Sequence, residues 1–187
     1  MIPGVKWRFF FAVGILIALV LAAACTDEEP PAPVMEPDGP VLPGQVLYLV
    51  GDIIGEGTVG GTLNSGTIDT ITMTVGLVPG AKPIYFDNIS IFYADAVRTE
   101  SLVPVEGIRG DPPQGCWGII AMKDEIGFSN NRLEYEEKMV IRINPKAPLV
   151  PRQFATISLT TPSATSLTLR RVAPPTILKE GNILAPV

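Results

Sequence analysis

The chain has 187 residues, 47% of them hydrophobic and 18% charged, with 18 Gly, 19 Pro and no His. That length fits one ordinary domain with appendages, and the Gly and Pro content favours many short strands and turns over helices. A net charge of −5 without a run of Lys or Arg argues against nucleic acid as a partner, and the absence of His removes Ser-His-Asp and Cys-His catalysis, His-containing zinc sites and HExxH helices together.

The first eight residues carry Lys6 and Arg8 and no acid, and residues 9–24 are an uncharged run that ends in Ala22-Ala23-Ala24-Cys25. A basic start, an apolar stretch and small residues before a break make up the plan of an export signal. Small residues directly before Cys25 resemble a lipobox, in which the thiol is acylated and the preceding segment removed. Three readings stay open: a lipid anchor on Cys25, an uncleaved helix of about 20 residues that crosses a bilayer, and a pilin-type leader. All three put the remainder outside the cytoplasm, the first two tying it to a membrane by lipid or helix, and the acids at Asp27, Glu28 and Glu29 agree with that orientation.

Residues 26–43 hold Pro30, Pro31, Pro33, Pro37, Pro40 and Pro43 with acids and no basic residue. Proline lacks the helix donor and clashes with the preceding turn, so an extended, self-repelling spacer is expected, up to about 55 Å long at ~3.1 Å per residue. The domain plan is therefore 1–25 signal or anchor, 26–43 linker and 44–187 folded domain.

From Gln45 onward short apolar runs alternate with turn signals. Residues 46–50 form the first candidate strand, and the glycine-crowded residues 51–66 read as a hairpin or edge loop of weak register. Ile71, Met73, Val75 and Leu77 share one face with Thr70, Thr72, Thr74 and Gly76 on the other, the period-two pattern of a half-buried strand. Strands follow at 84–86, 89–93, 117–122, 139–143, 154–159 and 166–172, with a loop at 107–115. Residues 130–138 read as a helical turn or a polar strand. Seven or eight short strands without a sustained helical period predict an all-β antiparallel sandwich.

The strand of residues 68–77 running into Pro79-Gly80-Ala81-Lys82-Pro83-Ile84, followed by Asp87-Asn88-Ile89-Ser90-Ile91-Phe92-Tyr93, resembles the strand–turn–strand pattern of archaeal flagellins (archaellins). Trp117 comes next in order. Residues 154–161 with Pro162, then Leu167-Thr168-Leu169-Arg170-Arg171-Val172-Ala173-Pro174-Pro175 and the closing Leu184, look like that family's last two strands and proline-ended tail. The resemblance covers residues 41–187 and implies an immunoglobulin-like β-sandwich of the archaellin outer-domain type, preceded here by a hydrophobic helix and a Pro-rich linker. It further implies a structural protein without catalytic site or cofactor, connected with archaellum or cell-wall-layer proteins and able to self-associate. The N-terminus departs from the pattern: Gly4 precedes Lys6 and Arg8, and the prolines from Pro30 stop any helix early. A filament subunit with an atypical leader is the alternative within the family.

Asn88-Ile89-Ser90 is an N-x-S sequon; with Ile89 and Ile91 inward, Asn88 and Ser90 face outward and accommodate a glycan. Cys25 and Cys116 are the two thiols. With Cys25 acylated, Cys116 is expected as a small buried residue beside Trp117; a disulfide between them is the alternative. Asp124, Glu125, Glu134, Glu136 and Glu137 are read as solvated faces offset by Lys123, Arg132 and Lys138. From another class, a solute- or glycan-binding surface lipoprotein would use a concave aromatic pocket between the 107–115 loop and Trp117.

Overall fold

A computed structural model describes residues 41–59, 66–108, 110–162 and 164–187. The apolar run, Cys25 and most of the Pro-rich linker lie outside the described residues. Twelve strands follow one another among the described residues: β1 (Leu47–Thr58), β2 (Thr67–Leu77), β3 (Ile84–Tyr85), β4 (Ser90–Asp95), β5 (Thr99–Ile108), β6 (Cys116–Lys123), β7 (Arg132–Leu133), β8 (Lys138–Asn144), β9 (Phe154–Thr160), β10 (Leu167–Val172), β11 (Asn182–Ile183) and β12 (Ala185–Pro186). The alternation on β2 does what its pattern dictates: Ile71, Met73, Val75 and Leu77 are all buried. Each removes most of an aliphatic side chain from water, about 1.5–3 kcal/mol apiece.

Ten strands make one continuous sheet in the order β11-β1-β2-β8-β6-β5-β4-β9-β10-β12, and β3 pairs β7 in a separate ribbon. The sheet divides into two layers at β5. Sheet I comprises β11, β1, β2, β8 and β6; sheet II comprises β4, β9, β10 and β12. The inward side chains of both, including Met73, Ile141 and Trp117 from one and Ile91, Ile157 and Leu169 from the other, belong to a single hydrophobic core. Strand β5 serves both layers. Its start pairs antiparallel with β4 as far as Ile91↔Leu102, and its continuation pairs parallel with β6 from Val103↔Cys116. Pro104 sits at this transfer, where a missing N–H costs little because the ladder is changing partners.

The C-terminal tail closes the opposite side. β11 adds to the free edge of β1 through Ile54↔Ile183 and Gly55↔Asn182, and β12 adds to the free edge of β10 through Arg171↔Pro186 and Val172↔Ala185. Between them Leu184 is 1% exposed and donates its N–H to Ile53 O at 2.9 Å. The buried Asn182 locks the tail, its Nδ2 donating to Gly55 O at 3.0 Å and Leu178 O at 2.7 Å while its Oδ1 accepts from Leu178 N at 2.7 Å. Gly55 permits this closure, since a Cβ there would lie 2.7 Å from Ile68 Cγ2 and 3.0 Å from Leu184 Cδ1.

The all-β sandwich and its core faces agree with the sequence, and the differences are instructive. The glycine-rich residues 51–66 follow the hairpin reading and not the edge loop: β1 continues to Thr58 and pairs antiparallel with β2, with register shifts at Val50/Ile54 and Glu56/Gly57, and residues 60–65 lie outside the described residues. At Gly57 a Cβ would lie 1.8 Å from Thr67 O, so glycine is what lets β2 approach at the second irregularity. β5 has no counterpart among the expected strands, and its pairing with β6 departs from the all-antiparallel expectation. Of the two readings of residues 130–138, the polar strand holds at β7, and a turn follows in place of a helical one.

Candidate functional site and exposed surfaces

Polar side chains mark the candidate sites of the fold, because a charge or amide withdrawn from water has to be answered by a partner. On the outer face of sheet I, Arg142 in central strand β8 reaches three other segments. Its Nε donates to Thr72 Oγ1 at 2.9 Å, its Nη2 pairs with Glu56 at 3.2 Å, and its Nη1 pairs with Asp111. Asp111 belongs to the loop that follows β5, which is also held by Asn144 Nδ2 to Pro112 O (2.9 Å) and Gln114 Nε2 to Lys146 O (2.7 Å). Trp117, 3% exposed, points into the core beneath it. The concave aromatic surface that the alternative sugar- or solute-binding reading requires at this loop is not formed among the described residues, and the loop is a pinned cover.

Cys116 is half-buried and unpaired, on the outer face opposite Asn144. It was expected to be buried beside Trp117. Alternation explains the correction: with Trp117 inward, its neighbour must turn outward.

The connection from β6 to β8 is organised by Glu137. Although expected on a solvated face, this side chain is buried, and its Oε1 and Oε2 accept the backbone N–H groups of Ile126 (3.0 Å) and Glu134 (2.9 Å). Ion pairs Lys138–Asp124 and Arg132–Glu134 flank it, and Asn131 Nδ2 reaches Asp87 Oδ2 at 3.0 Å. A loop so firmly held nevertheless displays Phe128 at 94% exposure, together with exposed Ile126 and Tyr135 and, on the adjoining ribbon, Tyr85.

Sheet II has the reverse character. Its inward face carries Tyr93, Asp95 and Glu100 besides the aliphatic residues, Tyr93 lying directly opposite Glu100. Asp95 Oδ1 accepts the N–H groups of Val97 (2.8 Å) and Arg98 (3.1 Å) and thereby shapes the β4–β5 turn, while Oδ2 faces Arg98 Nε at 3.1 Å. Glu100 Oε1 accepts Lys146 N at 3.0 Å. Tyr93 Oη and Glu100 Oε2 are buried without a hydrogen bond, as is Trp117 Nε1 in sheet I. Burial first, and then the neighbouring Asp95 carboxylate, raise the Tyr93 phenol above its ordinary value.

The outward face of sheet II presents Ser90, Phe92 and Ala94 from β4, Phe154, Thr156, Ser158 and Thr160 from β9, and Thr168, Arg170 and Val172 from β10. Phe92 and Phe154 are exposed, and Arg170 is the one charge among these ten outward residues. Asn88 ends a single 3₁₀ turn (Phe86–Asn88) just before β4; it and Ser90 are exposed while Ile89 and Ile91 are buried, as their alternation requires. Neither a nucleophile–base pair nor a set of three or more acids and thiols placed for a metal ion occurs among the described residues.

By fold, then, the domain is an archaellin-like β-sandwich. It superposes on archaeal flagellin FlaB1 from Methanocaldococcus jannaschii with a TM-score of 0.56 at 15% identity, over 75% of this chain and 98% of that one. On the archaeal flagellum of Methanospirillum hungatei strain JF1 the score is 0.52 at 13% identity, over 76% of this chain and 72% of that one. The archaellum periplasmic stator protein FlaG from Sulfolobus acidocaldarius aligns more loosely, at 0.40 and 18% identity over 63% of this chain and 96% of that one, too loosely to carry an argument. No family model and no curated protein matches the sequence. Identities this low establish the fold alone.

Proposed function

We propose that this is a non-catalytic structural protein of the cell exterior, an archaellin-type β-sandwich tethered to the membrane and connected with the archaellum or the cell envelope. The observation that carries the reading is the combination of an archaellin-like domain with an N-terminal sequence that departs from the archaellin pattern. Between the apolar run and the domain lies a proline-rich, acidic spacer, which cannot continue a helix. The tether is a lipid on Cys25, and the spacer carries the domain away from the membrane toward archaellum or cell-wall-layer proteins. Two phenylalanines on a nearly uncharged sheet face and an aromatic tip on a rigid loop support a role in protein contacts. Asn88, exposed at the head of its sequon, carries a glycan.

Intact-mass and N-terminal analysis of the protein taken from native membranes tests this. The expected result is an N-terminal Cys25 bearing a lipid, membrane association released only by detergent, and added hexose-type mass on the peptide containing Asn88. A chain recovered from sheared filaments with the apolar run intact and Cys25 unmodified would overturn the tether and make the protein a filament subunit with an unusual leader.

A further inference from the structure

The 124–136 loop and the outer face of sheet II are both left unexplained by the packing of a single copy. The loop is rigid by construction, because the buried carboxylate of Glu137 holds it at Ile126 and again at Glu134. Rigid backbone is not needed to leave an aromatic in water, yet Phe128 projects at 94% exposure with Ile126, Tyr135 and Tyr85 nearby. Acids surround this apolar tip. Asp124 and Glu134 are engaged by Lys138 and Arg132, whereas Glu125 and Glu136 form no ion pair among the described residues. Glu136 is also held in the left-handed region at φ 73°, a conformation that non-glycine residues adopt at some cost.

The complementary surface lies at the other end of the strands. The loop joins the end of β6 to the start of β8, where Gly76 at the end of β2 is paired with Lys138. β9 begins at the opposite end, since the bridge Ile68↔Leu149 places the β8–β9 connection beside the start of β2. There Phe154 stands outward next to Val172, in the row beside Thr156 and Arg170, and Val150 and Arg152 are exposed on the turn that leads into it. These outward residues are aromatic, aliphatic, hydroxyl or cationic, and none is acidic.

We propose that the 124–136 loop of one copy docks on the Phe154–Arg170 face of the next, head to tail. The inference rests on the structural reading above and deepens it by naming the partner as a second copy of this chain. Phe128 and Ile126 meet Phe154, Val150 and Val172, while Glu125 and Glu136 meet Arg152 and Arg170. A cationic, otherwise uncharged face offers those acids attraction without a like charge to oppose it. Because the two surfaces differ and lie at opposite ends, each copy uses both at once, and the contact builds open chains rather than a closed dimer. An anionic membrane surface is the poorer occupant for the loop, since it repels the same acids.

The test uses the full-length chain in detergent and two variants, Phe128→Ser for the loop and Arg152→Glu with Arg170→Glu for the face. All three positions are exposed, and an unchanged melting temperature establishes that each variant is folded. The wild-type mass in sedimentation rises continuously with concentration, and each variant weakens self-association by about tenfold or more. An equimolar mixture of the two variants forms 1:1 dimers and stops there, because it contains one intact loop and one intact face. Restoring opposite charge, with Glu125→Arg and Glu136→Arg added to the face variant, recovers association. A wild type that is monomeric throughout, a mixture that yields no dimer, or a Phe128→Ser chain that loses binding to lipid vesicles but associates normally would each overturn the proposal. A lipid found on Cys25 in a chain that never associates leaves the tethered reading standing, and association in a chain without a tether does the reverse.

Discussion

On sheet I the outward charges hold one another, with Arg142 joining β8 to β2, β1 and the loop after β5 and Lys138 pairing with Asp124, while the buried Glu137 fixes the loop before β8 through backbone N–H groups. On sheet II Asp95 and Glu100 are turned beneath the strands, and the solvent side shows hydroxyls, Phe92 and Phe154. The two layers share one core and one strand, β5, so the difference is not a matter of stability in the interior. It separates a face whose polar groups serve its own fold from a face left free of such duties. Interfaces are recognised by depletion of charge and display of aromatics rather than by bulk hydrophobicity.

The largest expected effect lies on the self-held side. Replacing Glu137 by Ala leaves the N–H groups of Ile126 and Glu134 without acceptors and should cost about 3 kcal/mol in urea unfolding, since hydrogen bonds to a charged group are worth ~1.5–3 kcal/mol each. Amide exchange at Ile126 and Glu134 should accelerate with it. A variant as stable and as protected as the wild type would mean that the loop is held by its ion pairs instead. Arg142→Met ranks second. Its partners Glu56 and Asp111 are 39% and 67% exposed in their side chains, so solvent screens both pairs and the loss should be about 1 kcal/mol. Proteolysis within the loop containing Asp111 should rise in that variant. If it does not, the bonds from Asn144 and Gln114 suffice, and the outward network of sheet I does less than its reach suggests.

Sequence pattern carried the β2 faces, the inward Ile89 and Ile91 and the outward Asn88 because each depends on local alternation alone. β5 escaped it for a physical reason. Pro104 breaks the donor pattern, and after the buried Leu102 both Val103 and Pro104 are exposed, so the alternation stops where the strand changes sheets. Glu137 was equally hidden. Nothing in Glu134-Tyr135-Glu136-Glu137-Lys138 distinguishes the acid that folds inward to collect two amides from those that stay in water. The tail was recognisable by its prolines and Leu184, but its closure of both sheet edges depends on partners in β1 and β10 that only the folded chain brings together. Loop 124–136 and the sheet II face are legible afterwards by parity: once Ile91 and Tyr93 are inward, Phe92 must be outward.

The smallest effect belongs to sheet II, and its sign sharpens the contrast. Tyr93 Oη is buried without a hydrogen bond of normal geometry, the Asp95 carboxylate lying beside it, so Tyr93→Phe removes a desolvated hydroxyl that is poorly answered. At neutral pH the substitution should be neutral or stabilising by up to about 1 kcal/mol, whereas deleting a satisfied hydroxyl would destabilise. The raised phenol gives a second readout. The folded protein holds the neutral phenol to a higher pH than the unfolded chain does, chiefly because burial disfavours the phenolate and also because Asp95 lies beside it. The contribution is therefore complete below the unfolded value of about 10 and is lost as pH rises from there through the folded value. Thermal unfolding of the wild type between pH 8 and 11 should show stability falling above pH 10, with a shallower fall in Tyr93→Phe. Parallel curves for the two proteins would mean that the fold does not hold the phenol neutral, and a clear loss of stability at pH 7 would mean that the hydroxyl has a partner after all. The polar residues beneath sheet II would then form a satisfied network of the kind seen on sheet I, and the division between the layers would rest on their outer faces alone.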